Sequence, residues 1–254
     1  MFFRQFLNDD GACASYLLGC KTVGKLAVVD AHIDLVDDYI AAAEGQGAEI
    51  AVVLETHVQA DHVSGLSALV ERTGASAYLP AGSGVEFEHG ELADGERVEL
   101  GNTVIEAIAT PGHAPAHHSY LITDHRRGEE PWLVLTGDSL LVGDVGRPDL
   151  HAHGDQPAEE LARTLYRSLS ERLMTLPDDL LVYPAHYAGS VCGRGLSGHP
   201  ASTIGFERRN NRALEAASEQ VFVEAVLREV PPAPERQSEI VAANRSGEAS
   251  AAPA

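Results

Sequence analysis

Four short groups of histidine and aspartate residues each follow an apolar segment of this sequence. They are His57-Val58-Gln59-Ala60-Asp61-His62, Thr110-Pro111-Gly112-His113, Thr136-Gly137-Asp138 and Tyr183-Pro184-Ala185-His186. Imidazole and carboxylate groups are ligands that zinc and iron accept from proteins. If the apolar segments are strands that end at one rim of a sheet, the four groups converge on one pocket. The pattern therefore predicts a metal centre built on loops that follow strands.

The segments around these groups predict strands and helices that are mixed along the whole chain. We predict strands at 2–7, 14–18, 25–30, 49–55, 98–100, 103–109, 119–123, 132–136 and 180–183. We predict helices at 35–45, 61–72, 158–176 and 212–230, from helical spacing and from glycine or proline stop signals. The strict alternation of a Rossmann sheet is not followed, because hairpin-like pairs of strands stand among the helices. The order fits an α/β protein with two mixed sheets covered by helices.

Residues 1–230 are predicted to form one catalytic domain, and residues 231–254 a disordered tail. The length of 254 residues is normal for a single α/β enzyme domain. From residue 231 onward the chain is rich in proline, alanine, serine and glutamate and offers little apolar surface to bury.

Charge and cysteine content limit the partners and the compartment. The net charge of −20 argues against nucleic acid and anionic lipid as partners. The three cysteines, Cys13, Cys20 and Cys192, contain no CxxC pair, which indicates a reducing compartment. No signal peptide and no membrane-length apolar run is visible, so we expect a cytoplasmic protein. Cys13 and Cys20 are expected to be small core residues.

The motifs HxxxDH, TPGH, TGD and PAH occur here in the order found in the metallo-β-lactamase superfamily, which the chain resembles over roughly residues 10–210. Within that superfamily it resembles the persulfide dioxygenases, especially the bacterial group often fused to rhodanese domains. The stretches that carry this resemblance are 55–65 (ETHVQADHVSG), 136–150 (TGDSLLVGDVGRPDL) and 183–207. The resemblance implies the αβ/βα four-layer sandwich, in which two mixed β-sheets are flanked by helices.

Gln59 stands where the dinuclear hydrolases of this superfamily, with their HxHxDH motif, carry a second histidine. A neutral amide is a poorer ligand than imidazole, so the three-histidine site of a hydrolase is damaged. His57, His113 and Asp138 remain. Two histidines and one carboxylate are the ligand set of non-haem Fe(II) oxygenases, and the resemblance implies the same set. We therefore expect one Fe(II) per chain, with zinc as the alternative.

The expected reaction is the oxidation of a low-molecular-weight thiol persulfide by dioxygen to sulfite and thiol, as part of sulfur metabolism. Asp61, His62 and His186 are then expected to hydrogen-bond to ligands or water. The same three residues would bind a second metal in a glyoxalase II-like thioester hydrolase, which is the first alternative. A sulfane-sulfur carrier that uses Cys192 is the second alternative.

Other residues near the motifs have two interpretations each. Arg147 is expected either to hold an anionic substrate or to brace its loop through a salt bridge with Asp149. Cys192 is expected either to lie near the substrate sulfur or to be an ordinary buried cysteine. His117 and His118 are interpreted as structural.

The oligomeric state is left open, with a homodimer as the first expectation.

Overall fold

Two six-stranded mixed sheets form the centre of the molecule in a computed structural model that describes residues 1–9, 11–152, 154, 156–193, 195–228, 230, 232–234 and 236–248. The strands of the first sheet are, in spatial order, β1 (Phe2–Asn8), β2 (Cys13–Cys20), β3 (Lys25–Val29), β4 (Glu49–Leu54), β5 (Ser76–Pro80) and β6 (Gly90–Leu92). The first two pairings are antiparallel, and the pairings from β3 to β6 are parallel.

The second sheet is mostly antiparallel. Its strands are, in chain order, β7 (Arg97–Leu100), β8 (Thr103–Ala109), β9 (His118–Asp124), β10 (Leu133–Gly137), β11 (Leu181–Pro184) and β12 (Ser202–Thr203). Each strand pairs with the next in the chain, and only β10 and β11 run parallel. The crossover between these two parallel strands contains a helix, as parallel connections usually do.

Six α-helices complete the described part of the chain. They are α1 (Val36–Glu44), α2 (Leu66–Thr73), α3 (Ala158–Arg167), α4 (Ile204–Asn210), α5 (Glu219–Val226) and α6 (Gln237–Ser246). None of the helices in the described ranges combines the length and the apolar character needed to cross a lipid bilayer.

The apolar core has three layers, which match the two sheets and their helices. Leu54 of the first sheet and Leu135 of the second belong to the layer between the sheets. Tyr39 of α1 belongs to the layer outside the first sheet. Leu165 of α3 and Phe222 of α5 belong to the layer outside the second sheet. The arrangement is helix, sheet, sheet, helix, and it confirms the predicted four-layer sandwich.

Most predicted strands are present within one or two residues of their predicted ends, but three helices differ from prediction. The helix predicted at 61–72 begins only at Leu66, because the Ser64 hydroxyl bonds to the Leu66 amide and to Glu55. The helix predicted at 158–176 ends its α-helical part at Arg167 and continues as π and 3₁₀ turns. The helix predicted at 212–230 is interrupted, because Ser218 caps a new helix, α5.

The predicted disordered tail differs from the structure over residues 236–248, which contain α6. The Asn244 side chain of this helix donates to the backbone oxygens of Gln59 and His62, at 3.0 and 2.9 Å. It also accepts from the Ser64 amide at 2.9 Å. Composition does not reveal such side-chain-to-backbone bonds, which attach α6 to the loop after β4.

Phe222 is expected to stabilise the outer layer of the second sheet. Its side chain is 1% exposed, and its ring centroid lies 5.4 Å from that of Tyr166. Phe222→Ala should lower the free energy of unfolding by about 3–5 kcal/mol, because it removes a buried ring and leaves a cavity. Urea denaturation measures this loss. The control Phe206→Ala removes a ring that is 50% exposed, and equal losses in the two variants would contradict the assignment.

Candidate metal centre

The loops after β4, β8, β10 and β11 bring the four predicted groups together. The ring centroids of His57 and His113 lie 4.9 Å apart. The Nε2 atom of His113 lies 3.4 Å from Oδ2 of Asp138. The other carboxylate oxygen of Asp138 lies 2.6 Å from Nδ1 of His186. All four side chains are at most 1% exposed, so the predicted convergence places them in one buried cluster.

Hydrogen bonds determine which ring nitrogen of His57 and of His113 is free to bind a metal. Nδ1 of His57 lies 2.9 Å from Oγ1 of Thr56, and that hydroxyl in turn donates to the Asp30 carboxylate. Nδ1 of His113 lies 2.9 Å from the carbonyl oxygen of Arg147, which can only accept. Both Nδ1 atoms therefore carry the proton, and both Nε2 atoms have a free lone pair.

Asp138 supplies a carboxylate oxygen with no hydrogen-bond partner among the described residues. Its Oδ2 atom is buried, whereas its Oδ1 atom is engaged by His186. Burial raises the pKa of Asp138, but His186 and His113 lower it by more, so the group is ionised. A buried, unpaired, anionic oxygen beside a free imidazole nitrogen fits a cation, which would satisfy it.

Both candidate histidine ligands are neutral, as metal binding requires. Burial lowers the pKa of His57, and the neighbouring His113 and His117 lower it further. Burial also lowers the pKa of His113, although Asp138 opposes this effect.

His117 supports the centre without belonging to it. Its Nε2 atom accepts a hydrogen bond from the Asp138 amide at 3.1 Å, and Nδ1 lies 3.0 Å from Oγ1 of Thr110. The backbone of His118 bonds to the carbonyl of Thr56 at 2.8 Å. These contacts agree with the structural interpretation of both histidines.

Gln59 is buried but directs its amide nitrogen toward acidic groups. The Nε2 atom lies 3.3 Å from Oδ1 of Asp30 and 3.4 Å from Oε2 of Glu55. Burial raises the pKa of Asp30 to about 6 and that of Glu55 to about 8. The amide is thus part of a polar cluster behind the His57 loop.

Asp61, His62 and His186 form a second group beside the first. The Asp61 carboxylate lies 2.7 Å from Nε2 of His186 and 3.2 Å from Nδ1 of His62. Burial lowers the pKa of His186, but Asp138 and Asp61 raise it by more, so a proton is held between two carboxylates.

Cys13 joins this second group, and the expectation that it is only a small core residue is incomplete. Its sulfur lies 3.6 Å from Nδ1 of His62 and 3.8 Å from Oδ2 of Asp61. Burial raises the pKa of the Cys13 thiol, but His62 and His186 lower it by more. Cys13 reaches the group because β2 contacts the His186 loop through an isolated bridge, which no local sequence pattern indicates.

The structure contains the loop-bracing contact that was one interpretation of Arg147. Its guanidinium forms a bidentate pair with Asp149, at 2.9 and 2.6 Å, and the residue is 4% exposed. A third contact joins Nη1 to the carbonyl of Val191 at 3.4 Å. This pairing holds the loop that also carries the His113 hydrogen-bond acceptor.

Cys192 lies within the cluster and is not an isolated core cysteine. Its sulfur and ligand atoms of Asp138 and His186 all lie within 4.8 Å of one another. Burial raises the pKa of the Cys192 thiol far above its ordinary value, although His186 opposes this. The thiol is therefore protonated at neutral pH.

His151, to which the sequence assigned no role, also lies at this centre. Its ring centroid is 5.6 Å from that of His113 and 6.1 Å from that of His57. Burial lowers its pKa to about 3, with a further contribution from His113. No strand directly precedes His151. It therefore lacks the pattern that predicted the other groups, in which histidine or aspartate follows an apolar segment.

A family model described as the metallo-beta-lactamase superfamily matches residues 8–186. The chain belongs to this superfamily. Among superfamily relatives, the mitochondrial persulfide dioxygenase ETHE1 of Bos taurus is 27% identical over 245 residues, which are 96% of this chain and 87% of that protein. The crystal structure of ETHE1 from Myxococcus xanthus has 30% identity and a TM-score of 0.84, over 97% of this chain and 99% of that chain.

A hydrolase of the metallo-beta-lactamase superfamily is also similar, over a shorter length. The hydroxyacylglutathione hydrolase of Polaromonas sp. is 34% identical over 175 residues, which are 68% of this chain and 61% of that protein. The resemblance to persulfide dioxygenases covers more of this chain than the resemblance to this hydrolase does, and the predicted resemblance to persulfide dioxygenases is confirmed.

Proposed function

We propose that this protein is an Fe(II)-dependent persulfide dioxygenase that converts a low-molecular-weight thiol persulfide and dioxygen into sulfite and thiol. The observation that carries the proposal is that the position of the second histidine holds Gln59, whose side-chain nitrogen lies against Asp30 and Glu55. Without an imidazole at that position, the predicted ligand set is His57, His113 and Asp138. Two histidines and a carboxylate suit Fe(II) and leave positions open for reactants.

The side chains present fit such an ion. The Nε2 atoms of His57 and His113 and the unpaired Oδ2 of Asp138 would hold it. Bound iron supplies the one-electron chemistry that a spin-paired persulfide and triplet oxygen need to react. The chain itself supplies orientation, because Thr56 and the Arg147 carbonyl fix the two imidazoles.

His186 has a separate task in this proposal. It lies between the carboxylates of Asp138 and Asp61 and carries a proton there. The charge keeps Asp138 ionised and holds its second oxygen in place. The overall reaction takes two oxygen atoms from dioxygen and one from water, and it releases two protons when sulfite and thiol form. The ionised Asp61 carboxylate can accept such a proton, and the His186 imidazolium can pass one on.

The deciding experiment counts metals and follows oxygen in the same sample. The protein is purified without added metal, and oxygen consumption is recorded with glutathione persulfide as substrate. We expect about one iron per chain, as a two-His-one-carboxylate site predicts, and one sulfite formed for each dioxygen consumed. The control is the same preparation after its iron has been removed by chelation, which should consume no oxygen.

A dinuclear thioester hydrolase is the second candidate. The group formed by Cys13, Asp61, His62 and His186 has ligand atoms within 4.8 Å of one another, which could hold a second ion. This candidate predicts about two zinc ions per chain and cleavage of a glutathione thioester without oxygen uptake. That combination of results would replace the dioxygenase proposal.

A sulfane-sulfur carrier that uses Cys192 has less support. The thiolate is the nucleophilic form of cysteine, and burial keeps the Cys192 thiol protonated. We expect Cys192→Ser to keep iron and oxygen consumption. Absence of oxygen consumption by the unsubstituted protein, together with sulfane-sulfur transfer that Cys192→Ser abolishes, would restore this alternative.

A further inference from the structure

The geometry points to His151 as an additional metal ligand beside His57, His113 and Asp138. Ligand nitrogens of His57, His113 and His151 all lie within 4.8 Å of one another. The Nε2 atom of His151 is buried and has no hydrogen-bond partner in the described part of the chain. A buried imidazole nitrogen normally has a partner, because leaving it unpaired costs free energy.

The spacing of the three imidazoles fits a single ion. At metal–nitrogen distances of about 2.1 Å, two ligands on opposite sides of an ion lie about 4.2 Å apart. Adjacent ligands lie about 3.0 Å apart, so the three nitrogens, which are within 4.8 Å of one another, would approach a common ion by rotation of the rings. The His151 ring is inclined by 74° to that of His113 and by 80° to that of His57. The rings are therefore not stacked against one another and can face a common point.

The segment that leads into His151 is held by two contacts. The bidentate pair between Arg147 and Asp149 fixes the preceding residues. The Gln237 amide of α6 bonds to the carbonyl oxygen of Leu150, the residue directly before His151. A ligand needs such support, since a metal site requires side chains that are already placed before the ion binds.

His151 also lines a cavity of about 920 Å³ between α6 and its own loop. Leu150, Gln237, Val241 and Arg245 share in the lining of this cavity. The volume lies within the range of small-molecule sites, so the thiol carrier of a persulfide would enter past His151. The imidazole would then form the boundary between the carrier and the ion.

Four protein ligands have a definite chemical consequence. His57, His113, Asp138 and His151 would together hold the ion, and they would leave it fewer positions for reactants than three protein ligands leave. The inference rests on the metal centre of the proposed function, but it does not depend on which reaction follows.

The test uses cobalt(II) as a spectroscopic probe in the full chain. Ring-¹³C-labelled histidine shows which imidazoles bind, because coordinated rings have large contact shifts in the NMR spectrum. We expect three such rings in the unsubstituted protein and two in His151→Ala. The dissociation constant for cobalt, measured by chelator competition, should rise about 100-fold in this variant, the upper end of the effect of losing an outer-sphere partner. His125→Ala, which removes a half-exposed histidine paired with Glu129, is the matched control.

Two coordinated rings in the unsubstituted protein would overturn the inference without any variant. An unchanged cobalt affinity in His151→Ala would overturn it as well. If His151→Ala does not fold, His151→Gln preserves the size of the side chain and should also show two coordinated rings. If three rings are coordinated but the iron-bound protein takes up no oxygen, His151 is a ligand and the dioxygenase proposal is rejected. Failure of the His151 inference can therefore be distinguished from failure of the proposed function.

Discussion

His113→Ala is expected to reduce bound iron from about one ion per chain to almost none, and to abolish oxygen consumption with it. The imidazole is buried, and its Nδ1 atom is engaged by the Arg147 carbonyl, so Nε2 faces Oδ2 of Asp138 at 3.4 Å. Alanine would remove a proposed ligand and leave the carboxylate oxygen without a cation to share. Iron is measured by plasma mass spectrometry and oxygen by electrode, on protein of checked secondary structure.

His125→Ala is the control for this result, because His125 lies in the turn after β9 and is partly exposed. It should retain both iron and activity. Retention of iron and oxygen consumption by His113→Ala would remove His113 from the centre and would require a different ligand set.

Gly146→Ala is expected to disrupt the centre with almost no change in chemical composition. A Cβ atom at this position would collide with the backbone oxygen of Asp138 and approach Nδ1 of His113 to 2.9 Å. Both candidate ligands would have to move. We expect iron affinity to fall by about 100-fold or more, because even loss of an outer-sphere contact to a ligand costs about 10- to 100-fold. Chelator competition measures the affinity.

Gly128→Ala serves as its matched control, since no atom lies within 4 Å of a Cβ added there. This variant should bind iron as the unsubstituted protein does. Equal affinity in Gly146→Ala and Gly128→Ala would show that the Asp138 and His113 loops are free to rearrange, contrary to the close approach seen at Gly146.

The residues of the candidate site that come shortly after a strand in the chain could be predicted from the sequence. His57, His113, Asp138 and His186 each come within four residues of the end of an apolar strand, so the direction of the strand fixes where each side chain emerges. The strands themselves could be predicted from local sequence as well, because runs of apolar and β-branched residues have a clear period. Strands β5 (Ser76–Pro80) and β6 (Gly90–Leu92) were missed because they are short and lack a long apolar run.

Residues brought to the site by long-range packing were not predictable in this way. Cys13 arrives through the contact of β2 with the His186 loop. His151 arrives on a loop held by Gln237 of α6, a helix whose polar and alanine-rich sequence suggested disorder. In each case the contact joins segments far apart in the chain, and single-sequence periodicity contains no information about it.

The candidate ligands come from both sheets, and this has a consequence for the lifetime of the protein. His57 follows a strand of the first sheet, whereas His113 and Asp138 follow strands of the second. An ion bound to all three therefore opposes separation of the two halves, and it adds about 2.7 kcal/mol of stability at a concentration 100 times its dissociation constant. Chains that lack the ion would then open more often, and we expect proteases to cleave them sooner. The abundance of this protein should therefore follow the supply of its metal, even where transcription is constant.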